Sequence, residues 1–431
     1  MKNSDLSKIK KVFFIGIGGI GISALAKMAL SRGMIVSGVN DEDSPKTLDP
    51  LQKAGVEVVY QKDLKAIPKA DLYIYSDAWL HRGPDIIEKA KSSGKPVLSY
   101  FEALGIFAKD YKVIAIAGTH GKTTTTAMVA EILVDVGLDP TCVVGSFVEK
   151  FGPRHGGAGS NFRKGAGEFL VVEADEYNRH FLNFHPFITI ITNIEADHLD
   201  CYKDLAHIKE AFGQLASQSE NVITDYLKYL EKVPKLSVPG VHNRMNAAAA
   251  LAVADVLNIN LEDAQKSLSQ FSGTWRRLEK RGETKEGTII YDDYAHHPTE
   301  IKASLQALRE LYPFGSKKIT VLFQPHLYSR TKAFFDDFAK SFKDADQVLL
   351  LPIYFAREDK DESVSSEKLS NAICANFLVT GKQAPVQSFS DFPSAEKAVL
   401  DLELGPNDVF VTMGAGEAYK VADQVFKIHQ T

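Results

Sequence analysis

The sequence is short of cysteine, has no basic excess and contains no long apolar run. Its three cysteines, Cys142, Cys201 and Cys374, are spread over 431 residues and form no CxxC pair. Neither a disulfide framework nor a thiolate zinc site is expected, and a reducing compartment fits. Fifty lysines and arginines against 55 acids leave a formal charge of −5, which argues against a nucleic-acid binder. No apolar stretch reaches the roughly 18 residues of a membrane-spanning helix. The start, with Lys8, Lys10 and Lys11 before "VFFIGIGGIGISALA", has the charge and apolarity of a signal peptide. Its glycines fit a strand, turn and helix better. The chain reads as a cytoplasmic protein with no membrane insertion and no nucleic-acid partner.

What is present is an ordinary globular composition, 45% apolar and 24% charged, in a chain long enough for two or three cores. Strand-like and helix-like stretches alternate. A strand at 11–15, a glycine turn and a helix over about 19–32 are followed by apolar runs at 34–39, 56–60, 71–75 and 95–99. A second block opens with a strand at 112–117 and continues through "EFLVVEAD" and "FITIITNIEADH". A third begins near Phe271 and holds "GTIIYDDY", "KKITVLFQPH", "DQVLLLPIY" and "DVFVTMGAG". This rhythm predicts an α/β chain with parallel sheets, divided at 1–107, 108–270 and 271–431. Functional side chains cluster where the strands end, the side on which open α/β sheets bind ligands.

Two glycine turns carry the chemistry. Gly118-Thr119-His120-Gly121-Lys122-Thr123-Thr124 departs from GxxxxGK[ST], since only two residues separate its glycines. A strand still delivers the chain into a turn whose amides face inward, and a helix near Lys122 adds its positive end. Lys122 can reach the terminal phosphates of a nucleoside triphosphate, and the Thr123 hydroxyl can ligate Mg²⁺. A plain glycine turn with a capping threonine is the alternative. Glu173, Asp175 and His198, at the ends of two acidic strands, are candidate magnesium ligands. The other turn, Gly16-x-Gly18-x-x-Gly21, suits a pyrophosphate, carried by NAD and by a UDP-sugar alike. Asn40 and Asp41 stand where an NAD enzyme has its ribose acid. No hydride-transfer site follows, so a diphosphate-bearing substrate is the better reading.

In the third block "DDYAHHPTEI" places Asp292, Asp293, Tyr294, His296 and His297 between a strand and a helix. Capping by Asp and Pro298 competes there with a metal or catalytic role. His326 and Arg330 in "QPHLYSRT" are available for an anionic group. Arg276 and Arg277 lie at a domain junction, where one can swing onto a γ-phosphate. Asn243 and Asn246, three apart, can read a base edge, although Asn243 also suits a helix cap.

Taken together, "GIGGIGIS", "GTHGKTTTT", "EADE", "TNIEADHLD", "HNRMNAAAA", "RRLE", "DDYAHHPTE" and "QPHLYSRT" resemble the Mur ligases of peptidoglycan synthesis over nearly the whole chain. Within that family they look most like the members that attach L-alanine to UDP-N-acetylmuramate. The resemblance implies a Rossmann-like UDP-binding domain, a central P-loop ATPase and a C-terminal Rossmann-like domain. It implies ATP and Mg²⁺, an acyl-phosphate intermediate, a cytoplasmic step of cell-wall biogenesis, and a monomer or homodimer. ATP would contact Gly118, Thr119, Gly121, Lys122, Thr123, Thr124, Asn243, Asn246 and Asp293. Thr123, Glu173 and His198 would hold magnesium. Gly18, Gly19, Ile20, Gly21, His120, Tyr294 and His326 would bind the substrates. Lys122, His198, Arg277, His296 and Arg330 would act in the chemistry.

Four stretches depart from the family's usual pattern. Val39-Asn40 replaces the common "GSD", Tyr177-Asn178 follows "EADE", Leu327 stands where many relatives carry arginine, and "HRGPDI" replaces "NPEI". A sibling ligase adding another amino acid or a recycled peptide is the first alternative. An NAD-dependent oxidoreductase and a non-catalytic nucleotide-gated binding protein are the others.

Overall fold

Short apolar strands, many of them ending in a glycine, an acid or an amide, form three sheets in the computed structural model, which describes residues 6–152, 159–199, 201–355 and 358–426. The first sheet runs in the order Glu57–Tyr60, Ile35–Asn40, Lys11–Ile15, Leu72–Tyr75, Val97–Ser99, all parallel. The chain winds outward from Lys11–Ile15 to one edge and then returns to its other side. A crevice therefore opens beyond Ile15, at the glycine turn.

The second sheet has the order Asn221–Ile223, Ile188–Ile191, Lys112–Ala117, Phe169–Glu173, Thr141–Val148, Ser160–Arg163. Only Ser160–Arg163 is antiparallel to its neighbour. Its register sets Glu173 opposite Ile116, so the acid arrives beside the loop that follows Ala117. The third sheet has the order Glu279–Glu283, Ile289–Asp293, Asp408–Met413, Lys318–Phe323, Gln347–Leu350, Val386–Ser388, with the first strand antiparallel.

Period-two alternation builds the cores. In the third sheet Ile289, Tyr291, Val321 and Phe323 enter one apolar layer. Ile290, Leu322, Leu349 and Phe410 enter the layer on the other face. Both faces are covered by helices, as a mostly parallel sheet requires. Each such side chain, fully buried, contributes about 1.5–3 kcal/mol.

The three expected blocks appear as three sheets, but they pack as two compact units. The first unit is Met1–Ala196, Asp204–Leu236 and Met245–Thr274, and the second is Asp197–Lys203, Ser237–Arg244 and Trp275–Thr431. The first two sheets share a unit because the helix Ile20–Ser31 packs on the strands Thr141–Val148 and Ser160–Arg163.

Candidate active site

In the first unit, the strand Lys112–Ala117 ends at Gly118, whose φ of +139° is open only to glycine. A Cβ there would strike the Thr192 hydroxyl, and one at Gly121 (φ +83°) would strike the Asn246 amide. The helix Lys122–Asp135 begins directly after. The turn is braced from the side: the Thr119 amide donates to the Asn193 carbonyl (3.1 Å), and the His120 amide to Asn193 Oδ1 (2.9 Å).

Lys122 Nζ donates to the carbonyls of Gly118 (2.5 Å) and Thr119 (3.1 Å) and to both oxygens of Glu176 (3.0 and 2.8 Å). Burial disfavours its charge, but Glu176, Asp175 and Glu173 outweigh burial and hold its pKa above the ordinary lysine value. The Thr123 hydroxyl donates to Glu173 Oε2 (3.1 Å), and the Gly145 amide donates to Glu173 Oε1 (2.5 Å). A hydroxyl and a carboxylate in contact at a helix start are hard oxygen donors, and they fit a magnesium ion. Thr124 is buried in the first turn, and His120 lies 3.5 Å from Glu195.

Asp175 is engaged by a residue that the motifs did not single out. His180 places Nδ1 3.4 Å from Asp175 and Nε2 2.8 Å from Asp77, with its ring stacked on Phe101 at 3.9 Å. Burial opposes its charge, yet the two carboxylates raise its pKa to about 9.

The turn at Gly16–Gly21 has different neighbours. The Gly18 amide donates to Asn40 Oδ1 (3.0 Å), and Thr47 Oγ1 donates to the Gly18 carbonyl (2.7 Å). A Cβ at Gly21 would lie 2.9 Å from the Tyr100 ring. Gly19 precedes the helix that starts at Ile20. Two of the unusual stretches find a use here. Asn40 is the residue bracing Gly18, and Arg82 of "HRGPDI" pairs with Asp41 at 2.8 Å.

The second unit carries His198, Asn243, Arg277, Asp293, Tyr294, His296, His326 and Arg330. Arg330 was expected to be available for an anion, but its guanidinium lies on Asp197, with Nε and Nη2 each 3.1 Å from Oδ1. Both residues are buried. Burial would raise the Asp197 pKa, but Arg330, His198, His296 and His297 hold it well below the usual carboxylate range. The pair lines a cavity of about 490 Å³ together with His198, Leu327 and Phe334. Leu327 has a φ of +70°, unusual for a branched side chain, and its amide donates to the Tyr354 carbonyl (2.8 Å). His326 stacks on the Tyr354 ring at 5.5 Å.

The helix Pro298–Leu311 starts at Pro298, as the capping alternative had it, but its cap is His297 and not an aspartate. Its Nδ1 accepts from the Thr299 amide (3.3 Å), and Glu300 accepts from the His297 amide (3.3 Å). An imidazole can replace an Asp carboxylate here because a cap needs only one acceptor. His296 keeps Nδ1 3.0 Å from the Tyr294 carbonyl and 3.3 Å from Glu300. Burial lowers its pKa to about 4, so the ring is neutral at pH 7. Burial also raises Asp293 to about 6, against the stabilising hydroxyl of Ser304.

The two junction arginines differ. Arg276 is buried, bonded to Asp292 (2.8 Å) and to the carbonyls of Gly416 (3.1 Å) and Gly414 (2.7 Å). Arg277 instead lies over the Tyr294 ring at 5.0 Å. Asn243 sits inside the helix Val241–Val256 and donates to the Pro239 carbonyl (2.7 Å), so it does not act as an N-cap.

The first unit thus gathers Gly118–Thr124, Glu173 and Asn246. Sequence reasoning missed Glu176, Asn193, Asp197 and His180. The first three lie inside or beside quoted motifs, where several acids or amides compete for one role. His180 follows the quoted acids closely, but its second carboxylate, Asp77, is distant in the chain and left no local signal.

Three family models match in sequence order: "Mur ligase family, catalytic domain" over residues 11–112, "Mur ligase middle domain" over 116–226, and "Mur ligase, glutamate ligase domain" over 276–416. The UDP-N-acetylmuramate–L-alanine ligase of Caldanaerobacter subterraneus subsp. tengcongensis is 36% identical, covering 97% of this chain and 98% of that protein. The ligase of the same name from Clostridium acetobutylicum is 37% identical over 98% of each. The crystal structure of UDP-N-acetylmuramate-alanine ligase from Thermotoga maritima superposes with a TM-score of 0.77 at 29% identity, covering 96% of this chain and 98% of that one. Among the described residues no helix is long and apolar enough to cross a membrane.

Proposed function

The chain belongs to the Mur ligase family, and we propose that it joins L-alanine to the carboxylate of UDP-N-acetylmuramate at the expense of ATP. One observation carries this reading. Full-length similarity to ligases named for that reaction falls on a chain whose first unit holds two separate glycine cradles, one of them with Lys122, Thr123 and Glu173 gathered. Two cradles suit two phosphorylated ligands, ATP and a UDP-sugar.

A carboxylate is a poor electrophile, so it must be activated. A muramate carboxylate oxygen attacks the γ-phosphorus, the bond to the bridging oxygen breaks, and ADP leaves with that electron pair. The neutral amine of alanine then attacks the acyl-phosphate carbonyl. Phosphate leaves with the C–O electrons and the nitrogen loses a proton. In this reading Lys122 exchanges Glu176 for the γ-phosphate, stabilising charge that builds up on transfer. Thr123, Glu173 and His198 would hold Mg²⁺, which supplies neutralisation of the phosphate oxygens. Asn243 and Asn246 would lie at adenine and Asp293 at the ribose, while Gly118, Thr119, Gly121 and Thr124 would line the phosphates. Arg277, over the Tyr294 ring, would reach the phosphates. Gly18–Gly21 and His120 would hold the sugar nucleotide. Tyr294, His296, His326 and Arg330 would serve the amino-acid side, where neutral His296 offers a hydrogen bond rather than a charge.

The same reading divides the chain at 1–107, 108–270 and 271–431. It places the protein in the cytoplasm, as a monomer or homodimer, in peptidoglycan precursor synthesis. The test is phosphate release from ATP, Mg²⁺ and UDP-N-acetylmuramate with L-alanine, glycine, L-serine or a tripeptide, with product masses recorded. Release with L-alanine and the mass gain of one alanyl residue is expected. Release only with another amine would move the assignment to a sibling ligase.

A further inference from the structure

We infer that Asn161 is a positioning residue for the sugar-nucleotide cradle, reaching it from the neighbouring sheet. The inference rests on the proposed function in taking Gly18–Gly21 as the diphosphate site. Asn161 lies on the edge strand Ser160–Arg163 of the second sheet and is fully buried. Its Nδ2 donates to the Ile20 carbonyl (2.6 Å) and to Ser23 Oγ (2.9 Å), both in the first turn of the helix that follows the glycine turn. Its Oδ1 accepts from Lys27 Nζ (2.7 Å), two turns along that helix. One amide therefore uses all its donors and one acceptor position on a single helix of another block.

The surroundings explain why an amide stands here. Ser23 Oγ also donates to the Ile20 carbonyl (2.9 Å), so Asn161 completes a closed set of bonds at the helix start. Among the described residues no carboxylate pairs with Lys27, and its ammonium lies 5.9 Å from the Phe147 ring centroid. Burial without an acid lowers its pKa to about 8. An aspartate at 161 would pair with Lys27 more strongly, but it would lose both donors to the first turn. The residue type present favours orienting the helix start over neutralising the lysine.

The strand that pairs with Asn161's strand extends the consequence. Thr141–Val148 contacts Ser160–Arg163 with a register shift between Val143 and Val148, and Gly145 within that stretch donates to Glu173. Asn161 thus fixes the start of the sugar-nucleotide helix from the strand paired with Thr141–Val148, whose Gly145 braces the candidate magnesium carboxylate. A carboxylate activated by phosphoryl transfer needs its two phosphorylated ligands within reacting distance, and small misplacements are costly.

The experiment is calorimetric binding of UDP-N-acetylmuramate, and separately of a non-hydrolysable ATP analogue, to wild type, Asn161→Ala, Asn161→Asp and Ser23→Ala, with Tm for each. Asn161→Ala and Asn161→Asp should both weaken the sugar nucleotide about tenfold and leave the ATP analogue within about twofold, the scale of a lost buried hydrogen bond. Ser23→Ala, the mildest change, should weaken it about threefold with an unaltered Tm. Wild-type sugar binding by Asn161→Asp would overturn the inference, because the amide would then serve only Lys27. Equal losses for both ligands alongside a lowered Tm would overturn it too, leaving a purely structural role. Failure of the wild type to bind the sugar nucleotide while binding the ATP analogue would sink the substrate reading instead.

Discussion

The two glycine cradles of the first unit follow one backbone plan and differ in what surrounds them. Each begins where a parallel strand ends, turns at glycines with positive φ, and opens a helix. Around Gly118–Thr124, Asn193, Thr192 and Asn246 are joined by charged groups: Lys122 on Glu176, Thr123 on Glu173, and Asp175 on His180. Around Gly16–Gly21 they are neutral: Asn40, Thr47, Tyr100, Trp79 and Asn161. A triphosphate that must give up its terminal group develops charge that cations and a metal stabilise. A diphosphate that is only held needs backbone amides and a helix end. In the proposed reading, the charged cradle does the chemistry and the other holds a substrate.

Removing the cation from the charged cradle should break the contrast most severely. Lys122→Ala is expected to lower turnover by at least about 10³-fold with circular dichroism unchanged. Phosphate release near the wild-type rate would refute the assignment. Glu173→Gln keeps the size of the side chain but removes its charge, and should cost about 10²-fold in turnover. Partial recovery at raised Mg²⁺ would tie the loss to metal binding, whereas a loss independent of Mg²⁺ would point to Gly145 and Thr123 alone.

In the neutral cradle, a Cβ at Gly18 would lie 2.5–2.9 Å from the Asn40 side chain. Gly18→Ala should therefore raise KM for the sugar nucleotide about tenfold and spare KM for ATP, a selectivity that steady-state kinetics can read. A rise for ATP alone would invert the two cradles.

The smallest effect is on stability. His180 joins Asp77 of the first sheet's block to Asp175, and its pKa is raised to about 9 from 6.5. Its contribution is fully present below pH 6.5 and is lost as pH rises through about 9. His180→Gln should lower Tm by a few degrees near pH 7, with the gap to wild type closing toward pH 10. A gap that does not change with pH would show that the Phe101 stack, and not the charge, matters.

Most of this architecture was legible in the linear pattern. The strands at 11–15 and 112–117 came from apolar runs ending at glycine, and the helices after them from the change in period. Lys122 and Thr123 stood out because they fall between a strand and a helix. Less legible were residues whose role depends on which neighbour reaches them. Three acids follow one another closely at 173, 175 and 176, and only the fold sends the last to Lys122 and the middle one to His180. Arg330 looked free for an anion because Asp197, 133 residues earlier, was not in view. His297 took the cap that the capping alternative gave to an aspartate, since an accepting atom at the right place was sufficient.

The sequence by itself determined the periodic elements, the two glycine turns and the residue types a phosphoryl-transfer ligase needs, because backbone sterics and amphipathic period act over a few neighbouring residues. Only the tertiary structure decided which acid neutralises Lys122, which arginine is buried, and that Asn161 holds a helix start in another block. Those choices rest on hydrogen bonds and burial between residues more than a hundred positions apart in some cases, where no local pattern constrains the partner.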